Sequence, residues 1–431
     1  MLSVELQPAR TVAAEDRRRA ILDAATRLFD VQGFSGTTTD EVAAEAGVTK
    51  RTLYRYMHSK EQLLFEIHER FLDRPVMEAV SGHSGSAVEQ FTTMVETHVS
   101  VVIAHQQEIR VFLEDMKHLG PERRAEISRR RGTYEGMLGH ILHAGMADGT
   151  FVQRDPALHA RGILGSLTEM YRWYRPGGDS LPQDITSAVV SMFLDGLVPV
   201  SARRPGRAVD ELLSEVPPVP HAADDDDPQE RIFAAATDLF HENGYQKTTT
   251  RELAAAAGMT KGALFYHIGH KDAVLTHIHS AVIEDGIAML QAAVSGDAPA
   301  PELLTKAMVA HCRIIDAHRD AIAVNSEEMK HLPPDALAEL TERRDVYEGM
   351  LRAVVDRGVR EGDFTVTNER LVTLTLLGLL NSTYRWYRRA GTLSPDDIGM
   401  RYADLVLHGL RAAPTRRRRA ALPRPVSRRF G

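Results

Sequence analysis

The sequence predicts an all-α protein built as two consecutive copies of one plan, each a small three-helix unit followed by a larger helical bundle. Three observations carry that prediction. The segment Arg19–Phe29 recurs as Glu230–Phe240, displaced by 211 positions, and the displacement holds without a gap as far as Lys60 and Lys271. Apolar residues recur at helical spacing throughout, and the alternation expected of strands is nearly absent. An internal repeat of this size sets the architecture, so two halves of roughly 200 residues replace the larger domain count that length alone suggests.

The 431 residues contain one cysteine, Cys312, which excludes an internal disulfide framework and suits a reducing compartment. No apolar leader precedes the first repeat, and the longest greasy run, Leu371 to Leu380, is too short to cross a bilayer. A cytoplasmic protein without a membrane contact is expected. The formal charge of −7 argues against a chain coated for nucleic acid, but the charge is unevenly spread. Thr49–Lys60 holds Lys50, Arg51, Arg55 and Lys60 and no acid, while Thr260–Lys271 holds Lys261 and Lys271 with His267 and His270.

In each three-helix unit the elements follow in order. Ile21, Ala25, Leu28 and Phe29, like Ile232, Ala236, Leu239 and Phe240, form the inward stripe of a first helix. Gly33 and Gly244 lie just past it, where a positive φ ends a helix without steric cost. Thr38 with Glu41, and Thr249 with Glu252, fit a capping box and open a short second helix. That helix stops at Gly47 or Gly258, and Thr49 or Thr260 caps the third. Ser59 with Gln62 caps the fourth helix in the first copy, whereas His270 replaces Ser59 in the second. Two short helices about a glycine turn make a helix-turn-helix or a mere packing corner. The basic, aromatic third helices favour the former, since such side chains reach phosphates and base edges.

The runs Gly47–Glu61 and Gly258–Asp272 resemble the DNA-binding signature of tetracycline-repressor (TetR) family regulators, in two complete copies. The resemblance implies that Thr38, Tyr56 and Lys60, then Thr249, His267 and Lys271, contact phosphates. It places Lys50, Arg51, Thr52 and Arg55, then Lys261, Gly262, Ala263 and Tyr266, toward bases, with Thr49 and Tyr54 or Thr260 and Phe265 completing each surface. The copies differ at the reading positions. Arg51 becomes Gly262, Arg55 becomes Tyr266 and Tyr56 becomes His267, so the second reader lacks two guanidiniums able to grip guanine; a different sequence preference is expected, with a weaker or vestigial second reader as the alternative.

Beyond the readers a second correspondence, displaced by 213 positions, links Asp115–Leu119 to Glu328–Leu332, Tyr134–Leu138 to Tyr347–Leu351, and Tyr171–Arg175 to Tyr384–Arg388. The last pair holds the only two tryptophans. In the family this region lines an effector cavity and builds a four-helix dimer interface. Phe91, Met94, His98, Phe112, Met116, Met137, Trp173 and Trp386 are the candidates for a cavity or for ordinary core. Acyl-coenzyme A thioesters or other lipid-like molecules are the effectors the resemblance suggests, and no cofactor is expected. Asp115-x-x-His118 and Glu328-x-x-His331 have the carboxylate-histidine spacing of di-iron bundles, but further inward glutamates are not evident.

The expected domains are readers at 15–62 and 228–273, bundles at 63–198 and 274–412, a Pro/Asp-rich linker at 199–227 and a basic tail at 413–431. The linker's acidic run repels itself, and roughly thirty residues at about 3.3 Å each reach on the order of 100 Å. That length allows an intramolecular pseudo-dimer; a homodimer with four readers is the alternative. Two readers about 34–36 Å apart would meet successive major grooves of double-stranded operator DNA. A DNA-binding, ligand-responsive repressor is expected, with a ligand- or partner-binding bundle as the alternative class and a metalloenzyme as a remote third.

Overall fold

A computed structural model describes residues 6–72, 85–196, 207–220 and 227–409. In the first half, α1 (Leu6–Gly36), α2 (Thr39–Glu45), α3 (Lys50–Tyr56) and α4 (Lys60–Leu72) form the reader and its connection onward. The bundle follows as α5 (Ala87–Ala104), α6 (Gln106–Glu114), α7 (Pro121–Ala147), α8 (Pro156–Thr168), α9 (Met170–Trp173) and α10 (Pro182–Asp195). A linker helix, α11 (Val209–Ser214), precedes the second half. There α12 (Pro228–Asn243), α13 (Thr250–Ala256), α14 (Lys261–Ile268) and α15 (Lys271–Ala293) repeat the reader. The second bundle comprises α16 (Ala300–Ala317), α17 (Arg319–Glu327), α18 (Pro334–Glu361), α19 (Glu369–Asn381) and α20 (Pro395–His408). Among the described residues no helix is long and apolar enough to cross a membrane.

The local signals produce the elements they predict. Thr38 and Thr249 each accept from the amide three residues on, while Glu41 and Glu252 reach back to the cap amides. Thr49 and Thr260 cap the third helices. Ser59 Oγ accepts from Gln62 N at 3.0 Å, and His270 makes no side-chain cap bond, so the fourth helix starts less well secured in the second copy. Gly33 (φ 75°, ψ 160°) and Gly244 (φ 86°, ψ 151°) occupy a region that side chains with a Cβ avoid, which bends the chain sharply into the turn.

The two bundles share one hydrophobic core, running from Phe91 and Leu142 through Leu167 and Phe193 to Leu379 and Tyr402. Helices α8 and α10 face α19 and α20 across an approximate two-fold relation, the self-complementary geometry of an isologous dimer made within one chain. Missing side chains permit the approach. A Cβ on Gly378 would meet the Ser166 carbonyl oxygen at 2.7 Å, and a Cβ on the equivalent Gly165 would meet Ser382 Cβ at 2.5 Å. Gly196 and Gly409, also equivalent, close against each other's backbone at the ends of α10 and α20. Arg401 pairs with Asp155 at 3.3 Å, and Arg154 donates to the Gly409 carbonyl at 3.0 Å.

The linker departs from the extended, self-repelling segment expected. Residues 207–220 carry α11 and lie along α16, with Leu213, Val216 and Val219 packed on Val309, Ala310 and Ile314. Arg313 donates to the carbonyls of Val216 and Pro217 at 2.8 and 3.2 Å and pairs with Asp396 at 2.7 Å. Arg207 bridges Glu211, Glu215 and Glu302. Glu211 and Glu215 thus pair with Arg207 of their own stretch, and Glu215 also meets Lys306 of the second bundle at 3.3 Å, instead of repelling one another. The acidic run Asp224–Asp226 and the basic tail lie outside the described residues.

Candidate DNA interface and effector cavity

Each reader is held by a small core. In the first, Leu53 and Met57 bury against Ile21, Phe29, Val42 and Leu63, so the opposite face of α3 points outward. Leu264 does the same for α14 against Ile232, Phe240 and Leu253. On the first outward face Arg51, Tyr54 and Arg55 are exposed, with the Arg55 guanidinium 5.5 Å from the Tyr56 ring. Lys50 Nζ reaches Asp40 at 2.8 Å, and the Tyr54 hydroxyl lies 3.2 Å from Thr39 Oγ1, which ties α3 to α2. On the second face Tyr266 is 87% exposed and Phe265 39% exposed, with Lys261 over the Phe265 ring. One reader therefore presents guanidiniums and the other aromatic rings.

Lys60 and Lys271 are turned differently from the phosphate role implied for them. Lys60 Nζ donates to the Phe34 and Thr37 carbonyls at 2.6 and 2.8 Å and sits 4.4 Å from the Phe34 ring. Lys271 repeats this with Tyr245 and Thr248 at 2.8 and 3.1 Å. Both ammonium groups satisfy carbonyls left over where the first helix ends after its glycine bend, and burial lowers both pKa values.

A cavity of about 930 Å³ lies in the first bundle. His98, Phe112 and Met116 line it, with Phe71 and Leu72 from the end of α4, and Arg385, Trp386 and Arg388 reach in from the second half. Of the other candidates, Phe91 and Met94 are fully buried in the shared core, earlier on the stripe of α5 whose later turns border the cavity. Seven residues separate Phe91 from His98, about 10 Å along a helix axis. Met137 and Trp173 pack on the core and do not border the cavity. Sequence reasoning missed Arg131, Tyr134, Arg161 and Thr168 on its walls.

The polar wall has a defined hydrogen-bond order. Thr168 donates to the Leu164 carbonyl at 2.7 Å, so its oxygen accepts from His98 Nε2 at 3.1 Å, and His98 Nδ1 then accepts from the Tyr134 hydroxyl at 3.0 Å. Burial lowers the His98 pKa to about 4, keeping the imidazole neutral at pH 7. The second half repeats the arrangement in His311, Tyr347 and Asn381. Arg161 stacks 5.1 Å over the Trp386 ring and pairs with Glu135 at 3.4 Å. Arg385 pairs with Glu169 at 2.5 Å, while its buried Nε and Nη2 meet no acceptor in the protein.

The carboxylate-histidine pairs that resembled a metal site brace the bases of the readers, and each carboxylate faces a lysine of the other half. Asp115 accepts from the Phe34 amide at 3.3 Å and His118 stacks on the Phe34 ring. Glu328 pairs with Lys117 at 2.5 Å, and His331 stacks on Tyr245. Among the described residues, no group of three or more His, Cys, Asp or Glu is placed to hold a metal ion.

Paired helix-turn-helix units on one two-fold-related helical body define a DNA-binding regulator. Residues 21–67 and 232–278 match the description "Bacterial regulatory proteins, tetR family", and residues 84–197 and 297–410 match "Tetracyclin repressor-like, C-terminal domain". The chain belongs to the TetR family, as a tandem member with both parts present twice, and is a sequence-specific transcriptional regulator. Its relatives match one repeat's length. The HTH-type transcriptional repressor KstR2 of Rhodococcus jostii (strain RHA1) is 31% identical over 189 residues, 42% of this chain and 89% of that protein. The fatty acid metabolism regulator protein of Bacillus subtilis (strain 168) is 25% identical over 154 residues, 35% of this chain and 78% of its own length. Among solved structures, PfmR of Thermus thermophilus is 32% identical and aligns with 42% of this chain and 100% of its own, at a TM-score of 0.41.

Proposed function

We propose that one chain acts as an intramolecular pseudo-dimer, a repressor that holds one operator with two unlike readers and releases it when an anionic, lipid-like effector enters the first-half cavity. The chain works in the cytoplasm and has no catalytic role of its own. Arg51 and Arg55 read one half-site, and Tyr266 with Lys261 meets the other, so the operator is an imperfect palindrome.

The observation that carries the effector reading is the position of the cavity. Its walls include Phe71 and Leu72 at the end of α4, and Phe112 belongs both to the cavity and to the first reader's core. A molecule seated there displaces the reader directly. The lining combines Phe112, Met116 and Trp386 with Arg131, Arg161 and Arg385, which suits an apolar body carrying a carboxylate or phosphate, such as an acyl-coenzyme A thioester. Release requires only that this molecule bind the non-operator arrangement better. Selecting bound fragments from random duplexes, then adding lauroyl-coenzyme A or laurate to the complex, tests the reading. Release by either acid supports it; a complex indifferent to both counts against it.

A further inference from the structure

The duplication predicts two effector sites per chain, one in each bundle, but the substitutions between the halves fall on the groups that would make the second site work. We infer that each chain holds a single effector molecule, in the first half, and that the second half has become a packed scaffold which contributes Arg385 and Trp386 to its neighbour's site. This rests on the anionic effector proposed above and specifies how many molecules the chain takes and where.

The first contrast is charge. Arg161, stacked on Trp386 at the first cavity, is replaced in the second half by Leu374, which is buried. Ser382, which borders the first cavity, has Glu169 as its first-half counterpart. Glu169 is buried and sits between Arg172 and Arg385, at 2.9 and 2.5 Å. Arg172 is the counterpart of Arg385; its Nε donates to Glu169 at 2.9 Å and its Nη2 to the Ser326 carbonyl at 3.4 Å. An anion arriving at the second half would thus lose one guanidinium, meet a carboxylate, and find the other guanidinium turned to Glu169 and the Ser326 carbonyl. At the first half two donors of Arg385 have no protein acceptor.

The second contrast is space. His98 and Tyr134 are half-buried on the cavity wall, whereas their counterparts His311 and Tyr347 are buried. Helix α15 runs on to Ala293, and Gly286 lies close enough that a Cβ there would touch the Tyr347 ring at 3.4 Å. Arg344, the counterpart of Arg131, turns onto Met329 Sδ at 3.0 Å. Val309, Ala310 and Ile314, on another side of α16, are covered by the linker. The second bundle has therefore exchanged a wall that faces a cavity for side chains that face one another.

The two tryptophans make the test direct, because Trp386 borders the cavity and Trp173 is its counterpart on the other side. The full chain is titrated with lauroyl-coenzyme A, laurate and neutral dodecanol, with stoichiometry read by native mass spectrometry. One acid molecule per chain is expected, and dodecanol at least tenfold weaker. Binding of laurate assigns the recognised group to the carboxylate, and binding of the thioester alone assigns it to the nucleotide phosphates; both agree with the inference. In W173F the remaining Trp386 emission should change on titration, and in W386F the Trp173 emission should not, at concentrations where native mass spectrometry shows that variant loaded. R161L, which copies the second half, should weaken binding at least tenfold while leaving the thermal midpoint within a few degrees. Two molecules per chain, or Trp173 emission that follows the titration, overturns the inference and leaves the effector class standing. No binding of either acid overturns the effector class and the inference with it.

Discussion

Lys117 of the first half lies 2.5 Å from Glu328 of the second, and the same bond is made in reverse by Lys330, 3.2 Å from Glu114 and 4.0 Å from Asp115. Lys117 also meets Glu327 at 2.9 Å. Burial works against the Lys117 ammonium, but its two carboxylate partners outweigh burial and hold its pKa above the ordinary lysine value. Burial pushes Glu114 up to about 7 and Asp115 to about 6 against the pull of Lys330. Asp115 also holds the Phe34 amide beside the first reader's turn, and Lys330 Cε would lie 3.1 Å from a Cβ on Gly33. The latch therefore fixes the bases of both readers relative to each other.

Lys117→Met should destabilise the chain by about 3–5 kcal/mol in chemical denaturation, because two buried carboxylates lose their cation. The paired exchange Lys117→Glu with Glu328→Lys should recover part of the loss. An exchange no better than the single charge reversal would contradict direct pairing.

Lys60→Met tests whether this ammonium serves the fold or the phosphates. Two carbonyls lose a charged donor, so a stability loss of about 1–3 kcal/mol is expected. The slope of log affinity against log salt for operator DNA should stay unchanged; a slope reduced by about 1 would restore the phosphate role.

Arg51→Ala and Arg55→Ala should each weaken specific binding by about 1–3 kcal/mol and relax sequence preference at one half-site alone. Tyr266→Ala should affect the other half-site. Footprinting on a duplex whose two half-sites are exchanged separates the two, and equal effects on both would argue against unlike readers.

His279 is 1% exposed, neither ring nitrogen has a partner, and burial lowers its pKa to about 3. A histidine depressed on folding supports the folded state above its unfolded pKa near 6.5 and withdraws that support as pH falls toward 3. Between pH 7 and 5 this costs about 2 kcal/mol. His279→Leu should accordingly lose less stability than the native chain over that interval in urea denaturation, and an identical pH response would contradict burial of a neutral ring.

The readers were legible because their information is local. Thr38 with Glu41, Thr49, Gly33 and the Ile21–Phe29 stripe act within a few residues of themselves, and the second copy repeats each. Asp115 and His118 were not, since carboxylate-histidine spacing looks alike whether the partner is a metal or a lysine two hundred residues away. The linker helix was hidden by flanking prolines and acids, although Leu212, Leu213 and Val216 carried an apolar signal. Of the cavity, the sequence offered His98, Phe112, Met116 and Trp386 as candidates but not their assembly. Its far wall is made by Arg385 and Trp386, and only the docking of the two halves brings those to His98.

In the proposed function one chain is the complete DNA-binding unit. Light scattering of the 47.8 kDa protein with a selected operator duplex tests it most directly. One chain in solution and one chain per duplex is the predicted result; two chains bound together on one duplex, four readers in all, would contradict it.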